Sequence, residues 1–139
     1  MITLYTGGTF DLFHDGHVNL LKRCKLLADK VVVSLNSDDF IFNYKKSYPI
    51  MNYEQRKTIL ESCIYVDLVI PNINGANSKT SILEINPDII AIGSDWAYKD
   101  YYKQMGFDQQ WLDDHDIMLL YIPYTNTISS TKIKDKINK

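Results

Sequence analysis

Residues 7–17 read Gly7-Gly8-Thr9-Phe10-Asp11-Leu12-Phe13-His14-Asp15-Gly16-His17, and the sequence pattern changes on either side of them. The apolar run before them, residues 2–5, predicts a buried first strand. After them, apolar residues recur every three or four positions between residues 18 and 28, which predicts a helix that begins near His17. A strand, a loop with glycines and a helix in this order predict an α/β unit with a loop at the carboxyl end of its strand.

This loop has the groups that a phosphate site needs. The first N–H groups of a helix have no intrahelical partner, and the helix dipole favours negative charge there. Gly7 and Gly8 allow the backbone to come close to a ligand. His14 and His17 are spaced so that both rings can face one point, and imidazole donates hydrogen bonds to phosphate oxygens. A single histidine is usually structural, but two of them around Gly16 at this corner favour a phosphate site.

The composition predicts one domain over residues 1–139. The chain is 45% hydrophobic, which is enough for a full core at this length. It has 15 basic and 17 acidic residues, so its charge does not favour a nucleic-acid partner. The sequence contains no run of 18 apolar residues, so no membrane span is predicted, and the polar N-terminal segment argues against a signal peptide. Cys24 and Cys63 lack metal-ligand spacing and are interpreted as buried thiols in a reducing, cytoplasmic compartment.

Further strands and helices alternate along the chain. The predicted strands are residues 30–36, 66–70, 87–93 and 117–123, and the predicted helices are residues 52–61, 78–85 and 130–137, with a short helix after Ser37. The tyrosine-rich segment 97–114 is interpreted as a helical excursion that covers the site. Five strands that alternate with helices predict a parallel sheet with right-handed crossovers.

A second group of candidate binding residues follows the fourth predicted strand. Residues 93–96 read Gly-Ser-Asp-Trp, and ligand sites in open α/β sheets lie at the carboxyl ends of strands. Gly93 permits a close approach of the backbone, and Trp96 offers an apolar wall to a base. Trp96 is equally compatible with ordinary packing, whereas Asp95 at this position favours a nucleotide site.

Hydroxyl groups and lysines supply further candidate phosphate contacts. Residues 125–131 read Thr-Asn-Thr-Ile-Ser-Ser-Thr and lead into the last predicted helix, where hydroxyls cap a helix or donate to phosphate oxygens. Taken alone, this cluster indicates plain capping, but its position after the fifth strand favours a phosphate contact. Lys45 and Lys46 lie in a polar stretch for which a solvated loop is the simpler interpretation.

Gly8-Thr9-Phe10-Asp11 followed by His14-x-Gly16-His17 resembles the signature of the cytidylyltransferase family of nucleotidyltransferases. Residues 53–56 resemble the Tyr-Glu-x-Arg element of that family, residues 93–96 its Gly-Asp-Asp-Trp, and residues 124–131 its Arg-Thr-Glu-Gly-Ile-Ser-Thr-Thr. The resemblance implies a Rossmann-like five-stranded parallel sheet of order 3-2-1-4-5, with helices on both faces. It also implies a homodimer, and Mg²⁺ held mainly by phosphates and water.

The activity that this resemblance implies is transfer of CMP from CTP to a small phosphorylated alcohol, with glycerol 3-phosphate as the first candidate. The acceptor phosphate attacks the α-phosphorus in line and pyrophosphate leaves, so catalysis is positioning plus charge stabilisation. The resemblance implies catalytic roles for His14, His17 and Lys46. It implies nucleotide binding by Gly8, Thr9, Phe10, His14, Gly16, His17, Lys45, Gly93, Asp95, Trp96, Thr125, Ile128, Ser129, Ser130 and Thr131, and acceptor binding by Asp11, Asp38, Lys45 and Lys46.

The chain departs from the family pattern at residues 124–127. Tyr124 stands where the family has Arg, and a phenol cannot replace an Arg–phosphate fork. The candidates to compensate are Lys99, Lys103 and Lys132. Three alternatives stay open: ATP as the nucleotide, a non-catalytic nucleotide-binding relative, and a dinucleotide-binding oxidoreductase, whose Gly-x-Gly-x-x-Gly motif is missing here. Arg56 is interpreted as part of a structural ion pair or a dimer contact.

Overall fold

The computed structural model describes residues 1–72, 78–123 and 130–138, apart from the side chain of Trp96. Within these residues, five parallel strands form one sheet: β1 (Thr3–Gly8), β2 (Lys30–Asn36), β3 (Leu68–Asn72), β4 (Ile89–Gly93) and β5 (Met118–Ile122). The strand order is β3-β2-β1-β4-β5. The predicted α/β class and the order 3-2-1-4-5 are therefore confirmed, and β1 lies at the centre of the sheet.

Helices connect the strands and cover both faces of the sheet. They are α1 (Asp15–Leu27), α2 (Asp38–Lys45), α3 (Tyr53–Glu61), α4 (Lys79–Ile85), α5 (Tyr101–Met105), α6 (Gln109–Asp114) and α7 (Ser130–Ile137). Neighbouring side chains of a strand point to opposite faces, and Leu4 and Tyr5 of β1 accordingly belong to two separate apolar clusters. The cluster of Leu4 includes Leu21 of α1 and Leu60 of α3, whereas the cluster of Tyr5 draws on α4, α5 and α6.

Two predicted element boundaries are wrong for identifiable reasons. Helix α1 begins at Asp15, before His17, because the side chain of His14 accepts a main-chain hydrogen bond and caps the helix earlier. Strand β3 continues through Pro71 to Asn72, although the prediction ended the strand before the proline. Among the strands that the structure describes, β3 pairs only with β2 and so lies at the edge of the sheet. An edge position tolerates a proline, which has no N–H to donate.

The segment of residues 97–114 is helical, as predicted. A 3₁₀ turn, Ser94–Tyr98, follows β4 and leads into α5 and α6. Tyr101 of α5 and Leu112 of α6 are buried in the core. The segment therefore packs against the sheet, and its first residues stay at the carboxyl ends of the strands.

The cysteines differ in their environment, and the described helices are short. Cys24 is buried as predicted, but Cys63 is partly exposed, which corrects the interpretation of both as buried thiols.

No helix in the described ranges is long and apolar enough to cross a membrane.

Candidate active site

A cleft of about 360 Å³ lies at the carboxyl edge of the sheet, over the ends of β1 and β4. Its walls come from the segment between β1 and α1, the end of α2, the residues after β4 and the first turns of α7. Ligand sites of open α/β sheets lie at this edge. The predicted site residues that line the cleft are Gly8, Thr9, Phe10, Asp11, His14, Gly16, His17, Lys45, Gly93, Asp95, Ser130 and Thr131. The fold thus brings together segments that are far apart in the sequence.

His14 and His17 together cap helix α1. The N–H of Gly16 donates to Nδ1 of His14 at 3.1 Å, and the N–H of His14 donates to Nδ1 of His17 at 3.2 Å. The two rings stack with their centroids 3.8 Å apart. Because each Nδ1 accepts a hydrogen bond, the proton of each neutral ring lies on Nε2. The pair therefore has two N–H donors left for a ligand in the cleft.

Both rings are held in the neutral form. Burial and, to a smaller extent, the charge of His14 lower the pKa of His17 to about 3, although Asp11 opposes the shift. Burial also lowers the pKa of His14 below its ordinary value, and the carboxylate of Asp15 opposes this shift. At neutral pH the pair consists of neutral hydrogen-bond donors, so the positive charge of the cleft has to come from lysine side chains.

The loop between β1 and α1 has an unusual backbone conformation. Phe10 and Leu12 both have a φ of 50°, a conformation that costs energy for residues with a side chain. The buried ring of Phe10 lies so close to Gly8 that a Cβ at residue 8 would be only 2.8 Å from it. The same ring is 5.2 Å from the ring of His17. Gly8 is therefore required by the packing of Phe10, which in turn supports the histidine pair.

Asp11 fastens this loop to the segment that precedes α3. Its carboxylate accepts hydrogen bonds from the N–H groups of Ile50 and Met51, at 2.8 and 3.0 Å, and lies 3.3 Å from the ammonium group of Lys134. Burial raises the pKa of Asp11, but these donors outweigh burial and hold the pKa below the ordinary value of a carboxyl group. The carboxylate, which is predicted to bind the acceptor, is thus committed to contacts within the protein and shapes the wall of the cleft.

Arg56 is a buried hub beneath the same loop. Its guanidinium donates to the main-chain oxygens of Thr9, Asn36 and Met51 at 2.8, 2.9 and 3.0 Å, and it pairs with Asp38 at 2.6 Å. The predicted structural ion pair is confirmed. Asp38 is a predicted acceptor-binding residue, but its carboxylate balances the buried guanidinium and does not line the cleft. A buried charge needs such a partner. This requirement explains why Asp38 pairs with Arg56 and does not face the cleft as predicted.

Lys45, and not Lys46, reaches the cleft. Burial and then the charge of Lys134 lower the pKa of Lys45, with a smaller contribution from Lys99 and opposition from Asp11. Lys46 ends α2 with a φ of 60°, so the chain turns between the two lysines. The prediction of Lys46 as a catalytic residue is therefore not supported by its position.

Two further lysines line the cleft. Lys99, one of the candidates to compensate for the missing Arg, lies 3.6 Å from Asp95. Lys103, another candidate, lines a separate depression between α5 and α6. Lys134 also lines the cleft, although it is not among the residues predicted for the site. The signal that could have found it is its spacing of four residues from Ser130, which puts both on one helix face.

A second cavity of about 410 Å³ shares Thr9 and Lys45 with the cleft and extends toward the ends of β2 and β3. Hydrogen bonds run along its wall: Tyr44 to Thr9 at 3.2 Å, Asn36 Nδ2 to Thr9 at 3.3 Å, and Asn72 Nδ2 to Asn36 Oδ1 at 2.9 Å. Asn72 is 3% exposed, and within the described part of the chain its Oδ1 has no hydrogen-bond partner. A buried acceptor without a donor is costly, which suits this wall to a ligand that carries hydroxyl groups.

A family model described as cytidylyltransferase-like matches residues 5–136. The chain belongs to the cytidylyltransferase-like family. It is 43% identical over 139 residues to the glycerol-3-phosphate cytidylyltransferase of Bacillus subtilis, with 99% of this chain and 98% of that protein covered. It is 38% identical to the Staphylococcus aureus protein of the same name, with 99% and 96% covered. The solved structure of a lipopolysaccharide core biosynthesis protein from Thermoplasma volcanium has a TM-score of 0.72 and 26% identity, and it covers 91% of this chain and 99% of that chain.

Four predictions of nucleotide binding fall on groups outside the part of the chain that the structure describes. These groups are Thr125, Ile128, Ser129 and the side chain of Trp96. For these four residues the family resemblance remains the basis of the prediction. The described portion of the site already combines a pair of neutral donors, lysine side chains and a connected second cavity, which suits a reaction between two phosphorylated substrates.

Proposed function

We propose that this cytidylyltransferase-like chain transfers CMP from CTP to glycerol 3-phosphate and releases pyrophosphate. The observation that carries the proposal is the neutral pair of His14 and His17 at the start of α1, in a cleft with lysine side chains. Two relatives named glycerol-3-phosphate cytidylyltransferase, matched over nearly their full lengths, support CTP and glycerol 3-phosphate as the substrates. The histidine pair accounts for phosphate chemistry, whereas the base and the acceptor alcohol rest on these relatives.

In the proposed reaction, an oxygen of the acceptor phosphate attacks the α-phosphorus of CTP in line. A bond forms between that oxygen and the α-phosphorus, the bond from the α-phosphorus to the bridging oxygen breaks, and its electron pair leaves with pyrophosphate. The acceptor phosphate is already ionised, so the side chains act by position and charge and not as nucleophiles. His14 and His17 donate from Nε2 to the oxygens of the α-phosphoryl group, where negative charge develops.

Lys45 has the central role among the proposed cationic groups. It lines both the cleft and the second cavity, so one ammonium group can attract the acceptor phosphate and the triphosphate together. We assign this role to Lys45 in preference to Lys46. Asp95 and Gly93, at the end of β4, are assigned to the ribose, and the hydroxyl group of Thr131 is assigned to the triphosphate. Ser130 is also a predicted nucleotide-binding residue, but its hydroxyl proton is donated to the main-chain oxygen of Asp11.

We assign the alcohol part of the acceptor to the second cavity. Thr9 and Lys45 lie where this cavity meets the cleft, and they would contact the acceptor phosphate. Asn72 Oδ1 would accept a hydrogen bond from a hydroxyl of the alcohol, which would satisfy its buried oxygen. Choline phosphate has no hydroxyl group on its alcohol part, whereas glycerol 3-phosphate has, so the cavity favours a polyol phosphate.

Mg²⁺ is the proposed cofactor. Within the described ranges, no group of three or more His, Cys, Asp or Glu side chains could hold a metal ion, and Asp11 and Asp95 each face a lysine. These residues fit a cation that is held mainly by phosphates and water, and such a cation neutralises charge on the triphosphate when bound. A homodimer is proposed from the family resemblance alone. A cytoplasmic location is proposed from the free thiols of Cys24 and Cys63.

Thermal melting with Mg²⁺ and CTP, ATP, GTP or UTP tests the nucleotide, and release of pyrophosphate tests the reaction. A ligand at a hundred times its dissociation constant adds about 2.7 kcal/mol of stability, which raises the melting temperature by several degrees. We expect a shift with CTP and pyrophosphate release only when glycerol 3-phosphate is added. A shift with ATP alone would indicate an adenylyltransferase. Binding of CTP without release in the presence of any acceptor phosphate would indicate a non-catalytic relative.

A further inference from the structure

Helix α7 is attached to Asp11 at two points that lie one helical turn apart. The hydroxyl of Ser130 donates to the main-chain oxygen of Asp11, and the ammonium group of Lys134 pairs with its carboxylate at 3.3 Å. Residues four positions apart lie on one helix face, and both side chains line the cleft together with Thr131. The side chain of Lys134 is 35% exposed, so a ligand in the cleft can reach it.

The contact with Asp11 leaves binding capacity on Lys134. The carboxylate of Asp11 already accepts the N–H groups of Ile50 and Met51, so Lys134 is not its only donor. An ammonium group carries three N–H donors on a flexible stem. Lys134 can therefore keep its contact with Asp11 and donate to a second anion in the cleft.

The sequence lacks a cation that the family pattern has at residue 124. Tyr124 stands at the position of the family's Arg, and both histidines are neutral. Among the described residues of the cleft, the remaining cations are Lys45, Lys99 and Lys134. Lys45 and Lys99 both line the second cavity as well as the cleft, whereas Lys134 lines the cleft alone. Lys134 is the cation on the helix that also brings the hydroxyl group of Thr131 to the cleft.

We propose that Lys134 binds the two phosphate groups of CTP that leave as pyrophosphate, in place of the missing guanidinium. This inference rests on the proposed function. Lysine binds phosphate as a point charge and not as a planar fork, so it supplies the charge of the missing Arg without its geometry. The first turns of α7 then form the part of the site that holds the leaving group, separate from the histidines at the α-phosphate.

Calorimetric binding of CTP, pyrophosphate and CMP to the full chain, each with Mg²⁺, tests the proposal. Lys134→Met removes the charge and keeps most of the stem, and Lys134→Arg restores a charge. Lys136→Met is the matched control, because Lys136 is an exposed lysine on the same helix. We expect Lys134→Met to weaken binding of CTP and pyrophosphate about ten-fold and to leave binding of CMP unchanged. Lys134→Arg should recover most of the loss, and Lys136→Met should have no effect.

Other outcomes overturn the proposal in distinct ways. Equal losses of affinity for CTP and CMP, with a lower melting temperature, would show that Lys134 acts by its structural contact with Asp11. A raised KM for glycerol 3-phosphate, with unchanged binding of CTP and pyrophosphate, would assign the ammonium group to the acceptor phosphate. Tight binding of all three ligands by both the unaltered chain and Lys134→Met would refute this inference alone. Failure of the unaltered chain to bind CTP or pyrophosphate would refute the proposed function as well.

Discussion

The main-chain N–H of His14 donates to Nδ1 of His17, and the stacked rings of the two residues cap α1 from the side of the cleft. The same side chains therefore cap the N-terminus of α1 and form the proposed phosphate site. This double use fixes the tautomer of both rings, because a protonated Nδ1 cannot accept the capping hydrogen bond. It also couples the stability of the loop to the protonation state of the site.

Replacing His17 with Ala should reduce activity far more than stability. The change removes one proposed donor to the α-phosphate, so we expect kcat for pyrophosphate release to fall about a hundred-fold to a thousand-fold. Loss of one capping contact should cost only about 1 kcal/mol, visible as a small drop in melting temperature. His115→Ala, an exposed histidine at the end of α6, is the control. A His17→Ala variant with a near-normal kcat would remove His17 from the mechanism.

Stability should fall as the pH drops below the ordinary histidine pKa of 6.5. The pKa of His17 is lowered to about 3 in the folded chain, so between these values the unfolded chain binds more protons than the folded chain. From the linkage relation, the free energy of unfolding should decrease by about 2 kcal/mol between pH 7.5 and pH 5 because of this residue. The pKa of Asp11 is lowered in the folded chain, so its contribution to the free energy of unfolding is lost only at a pH below the ordinary pKa range of a carboxyl group. Urea unfolding of the unaltered chain and of His17→Gln over this pH range checks the result. If the free energy of unfolding changed equally with pH in both proteins, the prediction would be contradicted.

Arg56→Met should destabilise the fold and also slow the reaction. The variant leaves buried main-chain oxygens of Thr9 and Asn36 without their donor and removes the partner of Asp38. We expect the free energy of unfolding to fall by about 3 kcal/mol, measured by urea denaturation. Lys57→Met, on the same helix, is the control. Equal stabilities of the two variants would show that the hub does not hold the loop.

Lys45→Met and Lys46→Met form a matched pair that tests which lysine serves the site. Lys45 lines both cavities, whereas Lys46, the C-cap of α2, lines neither. We expect kcat/KM to fall at least about ten-fold in Lys45→Met and to change less than about two-fold in Lys46→Met. The reverse order in steady-state kinetics would restore the sequence-based assignment of Lys46.

Asn72→Leu tests the second cavity as the place of the acceptor alcohol. The change removes the buried oxygen that has no donor among the described residues. The KM for glycerol 3-phosphate should therefore rise about ten-fold while the KM for CTP stays the same. The preference for glycerol 3-phosphate over propyl phosphate, which lacks hydroxyl groups, should shrink. Asn19→Leu, on the exposed side of α1, is the control. Equal increases of both KM values would show that the substitution disturbs the structure in general and not the acceptor site.

Short-range patterns predicted much of this protein because periodicity and capping act over a few residues. The bounds of β2 at Lys30–Asn36 and of α7 at Ser130–Ile137 agree with the predictions. The motif around His14 and His17 predicted that both side chains lie at the start of α1, where they line the cleft. The boundary of β3 was missed because the tolerance for Pro71 depends on the strand lying at the edge of the sheet, which is a property of the assembled fold.

The sequence by itself determined the α/β class, the histidine pair and the order of the segments that meet at the sheet edge. Only the tertiary structure decided which side chains at that edge are available to a ligand. Asp38 is committed to Arg56 across 18 residues, and Ser130 is joined to Asp11 across 119 residues. Local periodicity does not specify such partners, because the direction of a side chain depends on what packs against it from distant segments. For that reason the pairing of Asp38 with Arg56 and the position of Lys134 beside Asp11 became apparent only when the helices were in place around the sheet.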